Sequence, residues 1–294
     1  MNYDAIIVGG SYAGMSAGLQ LARARQKVAI VDTGKGRNRF AGFSHGFLSQ
    51  DGRAPGDIAA DARTQLLAYP TVEWIEGEAV KASGKVGDFG VRLANGRDLK
   101  SKILVLASGV SDTLPEIPGL AERWGKSVFH CPYCHGYELD QGPIGVIATG
   151  PASIHQALLL PDWGPTTFLL NGTFEPDAEQ SVQLAGRGAR IEAGRVVRIT
   201  GRADVELDDG RTISFAGLFT ASRTAPSTPL ATQLGCRMED GPLGEFIWTD
   251  AMKQTSVPGV LACGDAARGA GNVAVAVGDG AMAGAAAHRS LIFP

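Results

Sequence analysis

Nine consecutive residues, His130-Cys131-Pro132-Tyr133-Cys134-His135-Gly136-Tyr137-Glu138, hold the densest chemistry in the chain. Two cysteines three apart, followed at once by a histidine, fit three uses: attachment of a c-type haem, half of a zinc site, or a redox dithiol. A dithiol needs a nucleophilic sulfur, a second sulfur within reach and an acid–base group to manage protons. His135 and Glu138 are the neighbours that can serve, since imidazole titrates near neutral pH. Zinc would need about four ligands. The other two cysteines, Cys236 and Cys263, are isolated in the sequence, so no metal site is expected. Haem attachment is normally an extracytoplasmic event, and the start MNYDAIIVGG has an acid and glycines where an export signal needs a basic start and a longer apolar core.

The bulk numbers set limits on the rest. A chain of 294 residues has room for about two domains at roughly 100–200 residues each. Hydrophobic residues at 44% and charged residues at 19% describe a globular protein. The 40 glycines stand out and should mark tight turns and close backbone approaches to a ligand. A net charge of -3 supplies no basic surface, so no nucleic-acid partner is expected. No apolar run approaches the ~20 residues of a membrane span, so no membrane partner is expected either. A cytoplasmic protein is the expectation. In a reducing compartment a lone close cysteine pair is more often catalytic or metal-binding than structural.

Strands and helices must position these groups, and they alternate along the chain. Ala5-Ile6-Ile7-Val8 reads as a buried strand ending in Gly9-Gly10-Ser11-Tyr12-Ala13-Gly14; a helix is expected through 15–22, and a second strand through 28–31 ends on Asp32. Glycines there let the backbone approach a pyrophosphate, the helix start offers free N–H groups, and an acid about 20 residues on can bind a ribose hydroxyl. Ser11 replaces the middle glycine of G-x-G-x-x-G. A second strand–turn–helix follows at Gly145-Val146-Ile147, Ala148-Thr149-Gly150-Pro151-Ala152-Ser153 and 154–160, with most of its glycines gone. Late in the chain Val260-Leu261-Ala262-Cys263-Gly264-Asp265 is an apolar run closed by Gly-Asp, and a small-residue helix is expected over 273–287. The fold class is therefore α/β, with two Rossmann-like dinucleotide-binding domains of which the first keeps the fuller phosphate-binding equipment.

In that order, Gly9 to Gly14 with Asp32, the segment Leu104-Val105-Leu106-Ala107-Ser108-Gly109, the C-x-x-C and Cys263-Gly264-Asp265 resemble the low-molecular-weight thioredoxin reductases, FAD-dependent pyridine nucleotide-disulfide oxidoreductases. The likeness covers nearly the whole chain. It is closer to the dithiol oxidases of gliotoxin, holomycin and similar disulfides, which share the C-P-x-C-H-G-Y/W-E pattern. The resemblance implies a discontinuous FAD domain over residues 1–117 and 243–294, and an inserted NAD(P)-binding-like domain over 118–242 that carries the C-x-x-C. It implies FAD contacts at Gly9, Ser11, Tyr12, Ala13, Gly14, Asp32, Val80, Ser108, Gly109, Gly264 and Asp265, with Asp51 near the flavin and Asn272 and Val273 near its pyrimidine edge. It also makes Cys134 the sulfur facing the flavin and Cys131 the one that exchanges with substrate. His135 stands where thioredoxin reductases usually carry Asp, and Glu138 would orient it. A homodimer acting on a small-molecule dithiol or a thioredoxin-like protein is implied as well.

The sequence departs from that family where NADPH would bind. The second turn is poor in glycine, and the family's H-R-R is replaced by Asn171-Gly172-Thr173 after the strand at 167–170. Its G-H-x-P becomes Arg223-Thr224-Ala225-Pro226. Each lost charge-assisted hydrogen bond to a 2′-phosphate is worth about 1.5–3 kcal/mol, so NAD(P)H binding should be weak. The leading expectation is a dithiol oxidase that passes electrons from substrate through Cys131-Cys134 and FAD to dioxygen. The alternatives are an NAD(P)H-driven or ferredoxin-fed disulfide reductase, and a flavin-bound redox sensor without turnover.

Overall fold

The computed structural model describes residues 2–269 and 271–293, which form two compact units. The first comprises residues 1–39, 55–111 and 224–294; the second comprises 40–54 and 112–223.

In the first unit, β1 (Asn2–Val8), α1 (Tyr12–Arg23), β2 (Val28–Asp32), α2 (Pro55–Leu67), β3 (Val72–Glu76), β4 (Ala79–Lys85), β5 (Asp88–Leu93) and β6 (Asp98–Leu106) follow in sequence. The sheet order is β3-β2-β1-β6-β5-β4, and the strand Val260–Ala262 joins β6 in parallel. The β3-β2-β1-β6 part is parallel, whereas the β4–β5–β6 meander is antiparallel. Ala5 to Val8 are all buried, as expected of parallel strands covered on both faces. Alternate residues serve the two faces. Ile6 and Val8 join Val31 and Leu104 on one side, while Ile7 joins Ile30, Val105 and residues of α1 on the other.

The small-residue segment is the helix Val273–Ile292, and it packs on α1. Its glycines are what allow that approach: a Cβ at Gly280 would strike the Ala13 carbonyl, and one at Gly284 the Ala17 carbonyl. Ser16 donates from Oγ to the Val277 carbonyl at 2.7 Å across the same contact.

The second unit has a parallel sheet of Arg190–Glu192, Thr166–Leu169, Ile144–Ile147, Gly217–Thr220 and Val128–Phe129, in that spatial order. Ile144, Val146 and Phe219 face Ala157 and Leu160. Ile147, Leu169 and Leu218 face Ile199, Val205 and Leu207 of a separate antiparallel sheet. The helix expected over 154–160 runs from Ser153 to Leu159 and tightens into a 3-10 turn at Leu160–Asp162; Pro161 cannot donate to a continuing helix.

Among the described residues of the first unit, one side-chain carboxylate is buried. Asp279, on the helix Val273–Ile292, accepts from Arg268 at 2.6 and 2.7 Å and pairs with Lys253 at 3.0 Å. Burial opposes its charge, but hydrogen bonds from Arg268 and Lys253 outweigh it and hold the carboxyl below its ordinary 3.8. A carboxyl lowered in this way stabilises the fold above 3.8 and loses that contribution as pH falls through the folded-state value. Asp279→Asn is therefore expected to cost about 3 kcal/mol, read as a lower urea midpoint at pH 7, with the gap from the native protein shrinking below pH 4.

Candidate functional site

The first turn closes on itself. Gly9, at the end of β1, has φ +105°, and a Cβ there would enter the Ala107 carbonyl; a Cβ at Gly14 would enter the Gly9 carbonyl. Gly10 has no room either, with Trp74 at 2.5 Å and the Asp32 Cβ at 2.7 Å from where its Cβ would stand. Ser11 begins α1 in extended conformation, and its side chain caps none of the helix N–H groups. The start of a twelve-residue helix with no acid in its first turn is a favourable place for an anion.

Asp32, where β2 ends, accepts from the Gly10 N–H at 2.9 Å and from the Gly34 N–H at 3.1 Å. It thus fixes the turn, and each carboxylate oxygen keeps a further lone pair. Beside it lies a cavity of about 430 Å³, whose walls include Asp32, Gly34, Lys35, Arg63, Trp74 and Glu76. The Arg63 guanidinium lies 4.3 Å from the Trp74 ring centre.

Of the other predicted positions, Gly264 and the Ala107-Ser108-Gly109 segment are brought to this turn, whereas the contacts of Val80, Asn272 and Val273 lie on other elements. Tyr12 is buried and its hydroxyl donates to the Pro55 carbonyl at 3.0 Å while accepting from Asn38 at 3.2 Å. Burial raises its pKa. Arg37 pairs with Asp265 at 2.8 Å. Gly264, with φ +67°, lies against Ala13: a Cβ there would be 2.8 Å from the Ala13 Cβ. Ala107 precedes Ser108 and Gly109, and Gly109 has φ +68°. Asn272 caps the last helix by accepting from the Val275 N–H at 2.9 Å, and Val273 is that helix's first residue. Val80 is on β4, its carbonyl taken by Gln233. Arg37 and Asn38 carry no motif, and sequence reading missed both.

In the second unit Cys131 and Cys134 form a disulfide with Cα atoms 5.4 Å apart. Cys131 precedes the one-turn helix Pro132–His135, and a proline at the first helical position costs no hydrogen bond. Gly136 leaves room for Trp163, whose Cδ1 would be 2.7 Å from a Cβ there. The His135 ring stacks on Phe129 at 4.3 Å. Burial, assisted by His45, pushes its pKa down to about 4, so at pH 7 it is a neutral imidazole. Glu138 is half exposed and lies 3.4 Å from His45 Nε2, and Asp51 lies 3.7 Å from His45 Nδ1. Asp51 therefore belongs with the C-x-x-C unit. Cys236 and Cys263 are buried free thiols of the first unit. Burial raises both pKa values, that of Cys263 up to about 12.

The second turn is built differently from the first. Ser153 is fully buried and its Oγ accepts from the Thr149 N–H at 2.9 Å, and Thr149 Oγ1 donates to the Ala221 carbonyl at 3.1 Å. Thr173 donates to the Ala148 carbonyl at 2.9 Å. Asn171, at φ +51°, accepts from the Val196 N–H at 2.9 Å, and the Arg195 side chain lies over Gly172. One main-chain donor of this turn, the Thr149 N–H, is thus spent on the protein itself.

The model of one protein family, the pyridine nucleotide-disulphide oxidoreductases, matches residues 3–280. The chain belongs to this family. It is 33% identical to thioredoxin reductase tcpT of Claviceps purpurea, covering 98% of this chain and 94% of the relative. Among solved structures, an oxidoreductase from Agrobacterium tumefaciens has a TM-score of 0.98 at 60% identity over all of both chains. HlmI has a TM-score of 0.92 at 36% identity over 99% of this chain and 93% of its own. The protein is thus a thioredoxin reductase-like oxidoreductase with a close disulfide pair. This family uses FAD, with NAD(P)H as the reductant. The first turn fits the flavin nucleotide, with no room for a side chain at Gly9, Gly10 or Gly14 and an uncapped helix start.

The burial of His135 predicts an NMR titration of its ring protons with a midpoint near 4 in the oxidised protein. Replacing Phe129 with alanine should open the ring to water and move that midpoint toward the ordinary 6.5; an unmoved midpoint would mean that burial by Phe129 is not the cause.

Proposed function

We propose that the protein is an FAD-dependent dithiol oxidase: substrate dithiol and dioxygen are converted to substrate disulfide and hydrogen peroxide through the Cys131-Cys134 pair. The observation that carries this reading is the contrast between its two nucleotide turns. The first has a long, uncapped helix and glycines that admit a pyrophosphate. In the second, Pro151 lacks an N–H, Ser153 occupies the Thr149 N–H, and the helix has seven residues. A pyridine nucleotide would find few free donors there, which favours substrate thiols as the electron source.

On this reading the discontinuous first unit holds FAD. Gly9, Ser11, Tyr12, Ala13 and Gly14 would flank its pyrophosphate, with Asp32 at a ribose, Val80, Ser108 and Gly109 nearby, Gly264 and Asp265 along the ribityl region, and Asn272 and Val273 at the ring. FAD, when bound, supplies a two-electron acceptor. The chain's own part begins with a substrate thiolate attacking one sulfur of the pair and breaking the Cys131–Cys134 bond. A second substrate thiolate then attacks the mixed disulfide, the substrate leaves oxidised, and both cysteines are left reduced. Protons from the two substrate thiols must be accepted, and His135, neutral and next to Cys134 in the sequence, can serve as the base. The related thioredoxin reductases keep alive a second reading, reduction of a disulfide by NAD(P)H.

Anaerobic spectra of the holoenzyme separate the two. Dithiothreitol is expected to bleach the flavin band within seconds and air to restore it with one peroxide per disulfide formed, while NADPH and NADH leave the band in place. Prompt bleaching by either nucleotide would instead make the protein a reductase. Cys134→Ser should keep its flavin and lose bleaching by dithiol; fast bleaching in that variant would reverse the roles given to the two sulfurs.

A further inference from the structure

We propose that His45 is a positioning and proton-relay residue of the Cys131-Cys134 site, acting through Glu138; the inference rests on the dithiol reading above. Its loop comes from far upstream in the chain. Residues 40–54 fold with the C-x-x-C unit although their flanks belong to the first unit. The loop is closed by an antiparallel bridge between Ser44 and Arg53: the Ser44 N–H donates to the Arg53 carbonyl at 2.8 Å, and the Gly52 N–H to the Ser44 carbonyl at 2.9 Å. Asp51 adds a cross-brace by accepting from the Gly46 N–H at 2.7 Å. Gly46 and Gly52 take φ of +74° and +75°, a conformation glycine adopts without steric cost.

This loop presents a mostly buried imidazole, 19% exposed, to two carboxylates. Asp51 faces Nδ1 at 3.7 Å and Glu138 faces Nε2 at 3.4 Å. Asp51 lies on the Nδ1 side of the ring, beyond hydrogen-bonding distance, and Nε2 is the nitrogen directed at Glu138. The titratable groups around His45 are Asp51 from its own loop and Glu138 and His135 from the motif; Arg53 is directed to Gln50 at 2.7 Å.

The chemistry needs such a second station. Exchange begins only after a substrate thiol, with an ordinary pKa of about 8.5, has lost its proton. His135 can accept that proton, but an imidazole with a pKa near 4 keeps it for only a small fraction of the time at pH 7. His45, 3.4 Å from Glu138, is a second base beside the motif that can share that proton. The balance is closed: two substrate S–H bonds and the Cys131–Cys134 bond break, one substrate S–S bond forms, and the two protons end on the two cysteine sulfurs. The electrons move from substrate to the pair, and no further oxidant is needed for this half of the reaction.

The test is anaerobic reduction of the disulfide in the holoenzyme by dithiothreitol, quenched with an alkylating agent at set times from pH 6 to 9 and read by mass as the fraction of the pair alkylated. His45→Gln is expected to open the disulfide about tenfold more slowly than wild type at pH 6.5, below the 10² to 10⁴ of a direct general base because it acts through other residues. The gap should close by pH 9, where the dithiol ionises unaided. Asp51→Asn, altering an exposed carboxylate, should show the same pH-dependent gap at smaller size, and it carries the test if His45→Gln does not fold. Equal rates in wild type and both variants, or a slowing that is the same at every pH, would overturn the proposal. A wild-type disulfide that dithiol does not open at any pH would remove the oxidase reading and this inference together, whereas a wild-type response with no effect of the variants removes the inference alone.

Discussion

Backbone meets backbone at Gly9 and Gly14 of the first turn so closely that only hydrogen fits, and the Trp74 and Asp32 side chains leave no more room at Gly10. That contact depends on the strand, the turn and α1 all holding their places, and much of the first unit serves to hold them. Asp32 ties the turn from the β2 side by accepting from Gly10. The helix Val273–Ile292 presses α1 from the other side, at a distance that Gly280 and Gly284 alone permit. A side chain at any of these positions would separate helix from strand and remove the site at which a pyrophosphate can approach main-chain donors. The buried Asp279 secures the same helix through Arg268 and Lys253. Removing one partner from such a group leaves a charge in a medium that solvates it poorly, which explains why three charged side chains are committed to one point.

The second unit repeats the topology without that contact. Its strand Ile144–Ile147 also leads through a turn into a helix, but hydroxyls take the place of glycines. Ser153 Oγ accepts from the Thr149 N–H, a donor that a nucleotide could otherwise engage, while the Thr149 and Thr173 hydroxyls donate to the carbonyls of Ala221 and Ala148. A Rossmann turn binds phosphate because folding leaves its donors unpaired. Once side chains pair them, the fold is stabilised and the anion site is weakened by the same hydrogen bonds. Sheet order and core are untouched by the exchange, so the architecture can persist where the ligand contacts do not.

Much of this was legible in the sequence. Apolar runs such as Ala5 to Val8 and Val260 to Ala262 admit few readings once followed by glycine, and the order of motifs identified the α/β class. The cysteine pair was readable because its spacing already brings two sulfurs within bonding distance. The limits were contacts of long sequence separation. Arg37 reaches Asp265 across 228 positions, and His45 meets Glu138 from a loop that leaves one unit to fold with the other. No local periodicity encodes such meetings, since they depend on where a loop returns. The only sequence signal was indirect: an acid and a histidine, Asp51 and His45, between glycines that could close a tight loop.

Burial also decides which sulfurs can react. Nucleophilic attack requires a thiolate, and the fraction present falls tenfold for each unit by which the pKa is raised. Cys263, sealed beneath the sheet and near the Asp279 charge, is raised to about 12. Cys236 is raised as well, although Thr255 gives its sulfur a hydrogen-bonding partner. Both are small core residues that happen to carry sulfur. Cys131 and Cys134 instead belong to a one-turn helix whose neighbouring tyrosines, Tyr133 and Tyr137, are exposed. Desolvation thus acts in opposite directions on the protons within one molecule: it keeps the core thiols protonated, and it keeps the His135 imidazole unprotonated.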